Sequence, residues 1–146
     1  MDGAIDPGRS KLGVALGDRD LRFSAILPAS RVGDLIGALR TGDFRSLAPF
    51  RREGTPPEGG LDGGLYLGNG TGSDVMGELL AEAGLSWVSV EERDSTLLAR
   101  RVYYRLHPPS GWRRLVPRSL LVPPRDLDDL AAWVLLLRGR GEAFPL

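Results

Sequence analysis

Cysteine is absent from the sequence and histidine occurs once, at His107. The first absence excludes disulfide frameworks, thiolate metal sites and thiol nucleophiles; the second excludes a multi-histidine metal cluster. Any metal must therefore be held by carboxylates, which selects a hard ion such as Mg²⁺ or Mn²⁺. No stretch approaches the ~20 apolar residues that a membrane span requires. The opening MDGAIDPGRS has neither a basic n-region nor an apolar h-region. These features predict a soluble, cytoplasmic protein with no membrane partner. Neither charge is in excess, since 19 Lys and Arg balance 19 Asp and Glu and the pI is about 6.6. The chain is thus not the strongly basic object that non-specific nucleic-acid binders often are. Its positive charge is nonetheless unevenly placed: Leu97 to Val122 carries six arginines, Arg100, Arg101, Arg105, Arg113, Arg114 and Arg118, and no acid. Lysine is nearly missing, with Lys11 alone, and this bias fits a GC-rich genome as readily as bidentate phosphate contact.

The 146 residues match a single domain, 1–146, able to bury roughly two thirds of the surface its unfolded chain exposes. Gly3 to Asp6 reads as a short buried strand ended by Asp-Pro-Gly, Leu12 to Leu16 as a second strand, and Leu21 to Leu27 as a third after the polar turn GDRD. Three strands in quick succession imply an antiparallel meander. Ser30 is the expected N-cap of a helix carrying Val32, Leu35, Ile36 and Leu39, and Thr41 to Gly60 reads as a long irregular loop. Strand then alternates with helix: Gly64 to Gly68, Asp74 to Ala83, Ser86 to Val90, Ser95 to Leu106. A Pro-punctuated connector, GWRRLVPRSLLVPP, leads to a last helix from about Leu127 to Leu137, apolar almost all round and so expected against the sheet. The expected fold is α/β, with a mixed five-stranded sheet of three-strand meander plus parallel strands, flanked by helices. That is the layout of the RNase H-like fold.

Three acidic positions stand at element ends. Asp6 closes the first strand, where its carboxylate points over the sheet edge; an Asp before Pro-Gly also caps its own turn, and the residue alone leaves both readings open. Glu91 and Glu92 follow the strand ending at Val90, and alternation sends one to each face. Asp126, Asp128 and Asp129 crowd the start of the last helix, with Asp126 the natural N-cap. Capping accounts for one of the three, and clustering like charges costs stability unless a cation offsets it. In-line phosphodiester hydrolysis uses two divalent ions roughly 3.5 to 4 Å apart, held by carboxylates converging from different elements. Two strand ends and a helix N-terminus on one sheet edge supply such a set.

The strings AIDPGRSKLGVAL, VEERDSTLLAR and DLDDLAAWVLLL resemble, in order and spacing, the three signature blocks of the YqgF/RuvX family. These are a first-strand Asp followed by Gly and a later Gly-Val-Ala, a late-strand DER-x-S-T, and a terminal D-x-x-A-A helix. The resemblance implies that Asp6, Glu92 and Asp128 are catalytic metal ligands, with Glu91 standing where Asp is usual and Asp129 an extra acid able to substitute as ligand. It implies a metal-dependent nuclease that matures the 5′ end of precursor 16S rRNA, with cleavage of Holliday junctions in branched DNA as the alternative. A homodimer is left open. A non-catalytic nucleic-acid-binding module is a further alternative, against which the retained acids speak. Nucleotide-dependent phosphotransfer needs two such domains and more chain.

Nucleic-acid contacts are expected at two places. The loop GNGTGS leads from a strand into a helix, where backbone N–H groups favour phosphate; Asn69 and Thr71 are its candidates, and a plain turn capped by Ser73 is the alternative. In the helix from Ser95, Arg100, Arg101, Tyr104 and Arg105 fall on one face, opposite Leu98, Ala99, Val102 and Leu106, so that the arginines can hold phosphates and Tyr104 a base. A solvated face explains the same pattern. Arg113 and Arg114 extend the basic character, beside a Trp112 that either joins it or packs under the connector.

Overall fold

In the computed structural model, which describes residues 1–142, three strands form the expected meander: β1 (Asp2–Pro7), β2 (Lys11–Gly17) and β3 (Leu21–Pro28). The remaining part of the expected 1–146 domain, 143–146, lies outside the described residues. β4 (Arg51–Gly54) pairs antiparallel with β3, β5 (Leu65–Gly68) runs parallel to β1, and β6 (Val88–Val90) runs parallel to β5. The result is a mixed open sheet in the order β4-β3-β2-β1-β5-β6, flanked by α1 (Val32–Thr41), α2 (Ser73–Glu82), α3 (Ser95–Leu106) and α4 (Asp128–Gly139). The sheet has six strands, not the expected five.

The added strand, β4, falls in the segment expected to be an irregular loop, after a 3₁₀ turn at Arg45–Phe50. Its sequence, Arg51-Arg52-Glu53-Gly54, has no apolar alternation to read, and a polar strand at a sheet edge guards against edge-to-edge pairing. The expected helix caps are also displaced. Ser30 lies in a 3₁₀ turn and Arg31 precedes α1; Gly72, at φ 85°, precedes α2 in place of Ser73; Leu127 precedes α4. Asp126 is drawn off by Lys11, whose Nζ lies 2.6 Å from its carboxylate.

Strand alternation divides the sheet into two unlike faces. Ile5, Leu12, Val14, Leu16, Leu65 and Leu67 join Phe23 and Leu27 on one face and are covered by α1 and α2 through Leu35 and Leu80. The opposite face of β2 reads Gly13, Ala15, Gly17, and β1 adds Ala4. These small residues admit α4 at close range, with Trp133 against Gly17 and the Asp128 carbonyl directly over Gly13. α4 then crosses to β5, where Gly139 meets the Tyr66 ring. Every residue of α4 from Asp129 to Leu137 is buried, because α3 covers its outer side through Ala99 and Val102. Each buried Leu or Val there stabilises the fold by roughly 1.5–3 kcal/mol. Among the described residues no helix is long and apolar enough to cross a membrane.

Two glycine substitutions test this packing. A Cβ at Gly13 collides with the Asp128 backbone, so Gly13→Ala should lower unfolding free energy by about 1–3 kcal/mol as α4 is forced outward. Gly37, exposed within α1 with open space around it, should gain about 0.5–1 kcal/mol on substitution by Ala. Urea denaturation measures both; a Gly13→Ala protein as stable as the parent would mean that α4 sits farther from β2.

Candidate functional site

Alternation along β1 puts Ala4 and Asp6 on the face that receives α4, and Asp6 is the register partner of Gly13. Since Gly13 has no side chain, the space above it is filled by the first residue of α4, and Asp128 comes to the end of β1 beside Asp6. From the other side, the chain leaves β6 and turns sharply. The Ser95 N–H donates to the Glu92 carbonyl at 3.0 Å, and Asp94 adopts φ 60°, an uncommon conformation that Asp tolerates better than most. Asn69 fixes this turn: its N–H donates to the Val90 carbonyl at 3.0 Å and its Oδ1 accepts from the Glu92 N–H at 3.1 Å. The Glu92 carboxylate then lies in a cradle at Gly68 and Gly70, where any Cβ would overlap its oxygens. Two strand ends and a helix start thus deliver Asp6, Glu92 and Asp128 to one sheet edge.

The electrostatics of this edge are unfavourable for a bare protein. Burial pushes the Asp6 carboxyl up to about 8, reinforced by the Glu92 charge, a hydrogen bond with the Glu92 carboxyl, and the Asp128 charge. Glu92 Oε1 is buried and has no hydrogen-bond partner. Two adjoining carboxyls with an orphaned oxygen require either a proton or a cation between them. The oxygen-only donor chemistry of Asp6, Glu92 and Asp128 is of the kind a hard divalent ion such as Mg²⁺ or Mn²⁺ takes. Among the described residues no group of three or more His, Cys, Asp or Glu side chains is, as it stands, arranged to hold a metal ion. Asp6 and Glu92 form the close pair, while Asp128 is partly solvated, with Lys11 Nζ 3.7 Å from its carboxylate.

The structure separates the neighbouring acids. Glu91 is exposed, and only its carbonyl is engaged, by Arg138 at 2.8 Å. Asp129, expected as a substitute ligand, is fully buried and already satisfied: Arg125 donates to it at 2.8 Å and the Ser24 hydroxyl at 2.6 Å. It serves to anchor α4 on β3, one residue of helical turn away from the cluster. Among the described residues Asp6 makes no hydrogen bond to the turn that follows it, so the Asx-turn alternative is not what its side chain does.

The expected nucleic-acid contacts divide similarly. Asn69 and Thr71 are exposed on the loop before α2, which packs at Gly72 against the Gly8 carbonyl beyond Asp6. Asn69 spends its carbonyl oxygen on Glu92 rather than leaving the whole amide to a phosphate. Arg100, Arg101, Arg105, Arg113 and Arg114 are exposed. Tyr104 is not: it is buried, with the Tyr103 ring edge-on at 5.1 Å, while Leu106, placed on the apolar face by spacing, is exposed. Covering a tyrosine ring removes more apolar surface from water than covering the last leucine of a helix, and the buried face is skewed accordingly. Trp112 does not pack under the connector. Two participants escaped the sequence reading. Lys11 reaches the cluster because β2 returns beside β1, a register visible only once pairing is known. A second ionic group, in which Arg125 stands between Asp129 and Glu53 and His107 also meets Glu53, depends on the unanticipated β4.

No protein-family model, no curated protein and no solved structure matches the chain. What the site can do is argued from its geometry.

A raised Asp6 has a defined thermodynamic sign. Its carboxyl keeps a proton in the folded chain up to about pH 8 but loses it near 3.8 when unfolded, so the folded state binds more protons between these limits. In the absence of metal, stability should fall as pH rises through that window, and Asp6→Asn should flatten the slope. Melting temperatures in chelator from pH 5 to pH 8 test this; a slope unchanged by Asp6→Asn would place the raised proton elsewhere.

Proposed function

We propose that the chain is a divalent-metal-dependent nuclease of the RNase H-like fold, similar to the YqgF/RuvX family, acting in the cytoplasm on structured nucleic acid. The observation that carries the reading is the buried, unpartnered Glu92 oxygen beside Asp6, with Asp128 facing the same edge. The strand order supports it: without β4 the sheet reads β3-β2-β1-β5-β6, an antiparallel meander continued by parallel strands. Precursor 16S rRNA is the proposed substrate and a four-way DNA junction the alternative.

Mg²⁺ or Mn²⁺ bound here would supply an activated water and stabilisation of the leaving oxygen. Asp6 and Glu92 would hold such an ion through their carboxylates, Asp6 in its deprotonated form. Asp128 would add a third carboxylate from α4, where Lys11 Nζ lies 3.7 Å from it. Gly68 and Gly70 leave the Glu92 carboxylate room, and Asn69 fixes its backbone. Arg100 and Arg101, exposed on α3, would contribute phosphate contacts to substrate affinity.

The test is incubation with Mn²⁺ of three labelled substrates: RNA with a precursor 16S 5′ extension, a four-way DNA junction and linear duplex DNA. The RNA should be cut, and Asp6→Asn should lower the rate by more than about 100-fold, since even outer-shell losses at metal sites cost 10- to 100-fold. Circular dichroism should show the variant folded. No cutting of any substrate by the parent chain, or cutting by Asp6→Asn at the parental rate, would contradict the proposal.

A further inference from the structure

Between α3 and α4 the chain exposes large side chains that packing does not explain. Trp112 is 71 % exposed, Leu115 88 %, Leu120 70 % and Val122 72 %. The segment forms two short 3₁₀ turns, Gly111–Leu115 and Arg118–Leu120, on either side of Pro117. Arg113, Arg114 and Arg118 accompany these residues, and the Arg113 guanidinium lies 5.8 Å from the centre of the Trp112 ring, where a cation–π contact restrains both. From Leu97 to Val122 there is no acidic residue. Among the described residues no acid pairs with Arg113, Arg114 or Arg118.

The chemistry narrows the partner. A symmetric contact with a second copy would set this arginine cluster against itself, a like-charge juxtaposition that costs free energy. An interfacial membrane anchor is built on a continuous amphipathic helix, and this segment is two broken turns. What matches exposed arginines beside an accessible indole is a chain of phosphates carrying unpaired bases. Every base has a face that stacks on an aromatic ring, while a base inside a duplex has both faces occupied. Tyr104, the other aromatic candidate of this region, is buried.

We propose that Trp112, Arg113, Arg114 and Arg118 form a binding site for single-stranded nucleic acid, with an unpaired base on the indole and its phosphates on the arginines. The site rests on the nuclease reading in one respect: the strand it holds is the unpaired flank of the substrate. The connector runs directly into α4, which carries Asp128, so the site and one acid of the edge belong to consecutive elements of the chain.

The experiment measures anisotropy of a labelled single-stranded oligonucleotide and of the same sequence as a duplex, in EDTA so that no cleavage intervenes. Vesicles containing anionic phospholipid serve as the competing surface. Single strand should bind more tightly than duplex. Trp112→Ala should weaken it on the order of tenfold, and Trp112→Phe should retain most of the affinity. Arg114→Ala with Arg118→Ala should reduce the slope of log affinity against log salt by about 1.4, at about 0.7 per lost phosphate contact. All four side chains are exposed, so melting temperatures should match the parent. Equal binding by Trp112→Ala, tighter binding to duplex, or binding to vesicles with none to the oligonucleotide would overturn the site. Mn²⁺ cleavage by the parent with no Trp112 effect on binding would overturn this site and leave the nuclease reading standing. Trp112-dependent binding with no cleavage of any substrate would support the site and remove that reading.

Discussion

The closeness of α4 to β2 is the constraint on which the remainder depends. A helix can approach a strand only as near as the side chains between them allow, and Gly13, Ala15 and Gly17 leave almost nothing in the way. That proximity converts a register relation, Asp6 opposite Gly13, into a spatial one, Asp6 beside Asp128. It also explains why so apolar a helix is usable. With the sheet on one side and α3 on the other, α4 has no face left for solvent until its termini. The far end is tied down by polar contacts instead, Arg140 to Asp2 at 2.5 Å and Arg138 to the Glu91 carbonyl at 2.8 Å.

Asp128 and Asp129 show how one position in a helix decides an acid's fate. They are consecutive, so helical geometry sends them in different directions. Asp129 is carried inward, where an unpaired carboxylate could not persist, and Arg125 and Ser24 satisfy it. Asp128 is left at the rim with Lys11 as neighbour. The first is a fastening between α4 and β3, and the second remains available to a ligand. Across the edge, Glu92 is the reverse case of Asp129: its Oε1 is buried without a partner, in a space that two glycines keep open for it.

Much of this was legible beforehand because it is written in apolar periodicity and in breaks of that periodicity. The meander, the alternation of β5, α2, β6 and α3, and the burial of α4 all follow from hydrophobic pattern. The choice of Asp6, Glu92 and Asp128 as neighbours came from resemblance, and the structure brings them to one edge. What escaped reading has physical reasons. β4 is polar and pairs with β3 alone in the sheet, so no apolar side-chain pattern marks it. Tyr104 is buried although helical spacing sets it beside Arg100 and Arg101, with the Tyr103 ring edge-on at 5.1 Å. Asp129 was indistinguishable from Asp128 until its partner on β3, Ser24, was known. Lys11 could not be assigned to the cluster without the β1–β2 register.

The central claim is that Asp6, Glu92 and Asp128 are held together for a divalent cation rather than for one another. Anomalous diffraction from crystals soaked in Mn²⁺ addresses it most directly. The account predicts an anomalous peak within coordination distance of the Asp6 and Glu92 carboxylates, with Asp128 turned toward it and Lys11 displaced. A map with no peak at this edge, or with manganese at Asp129 and Arg125 displaced, would contradict it.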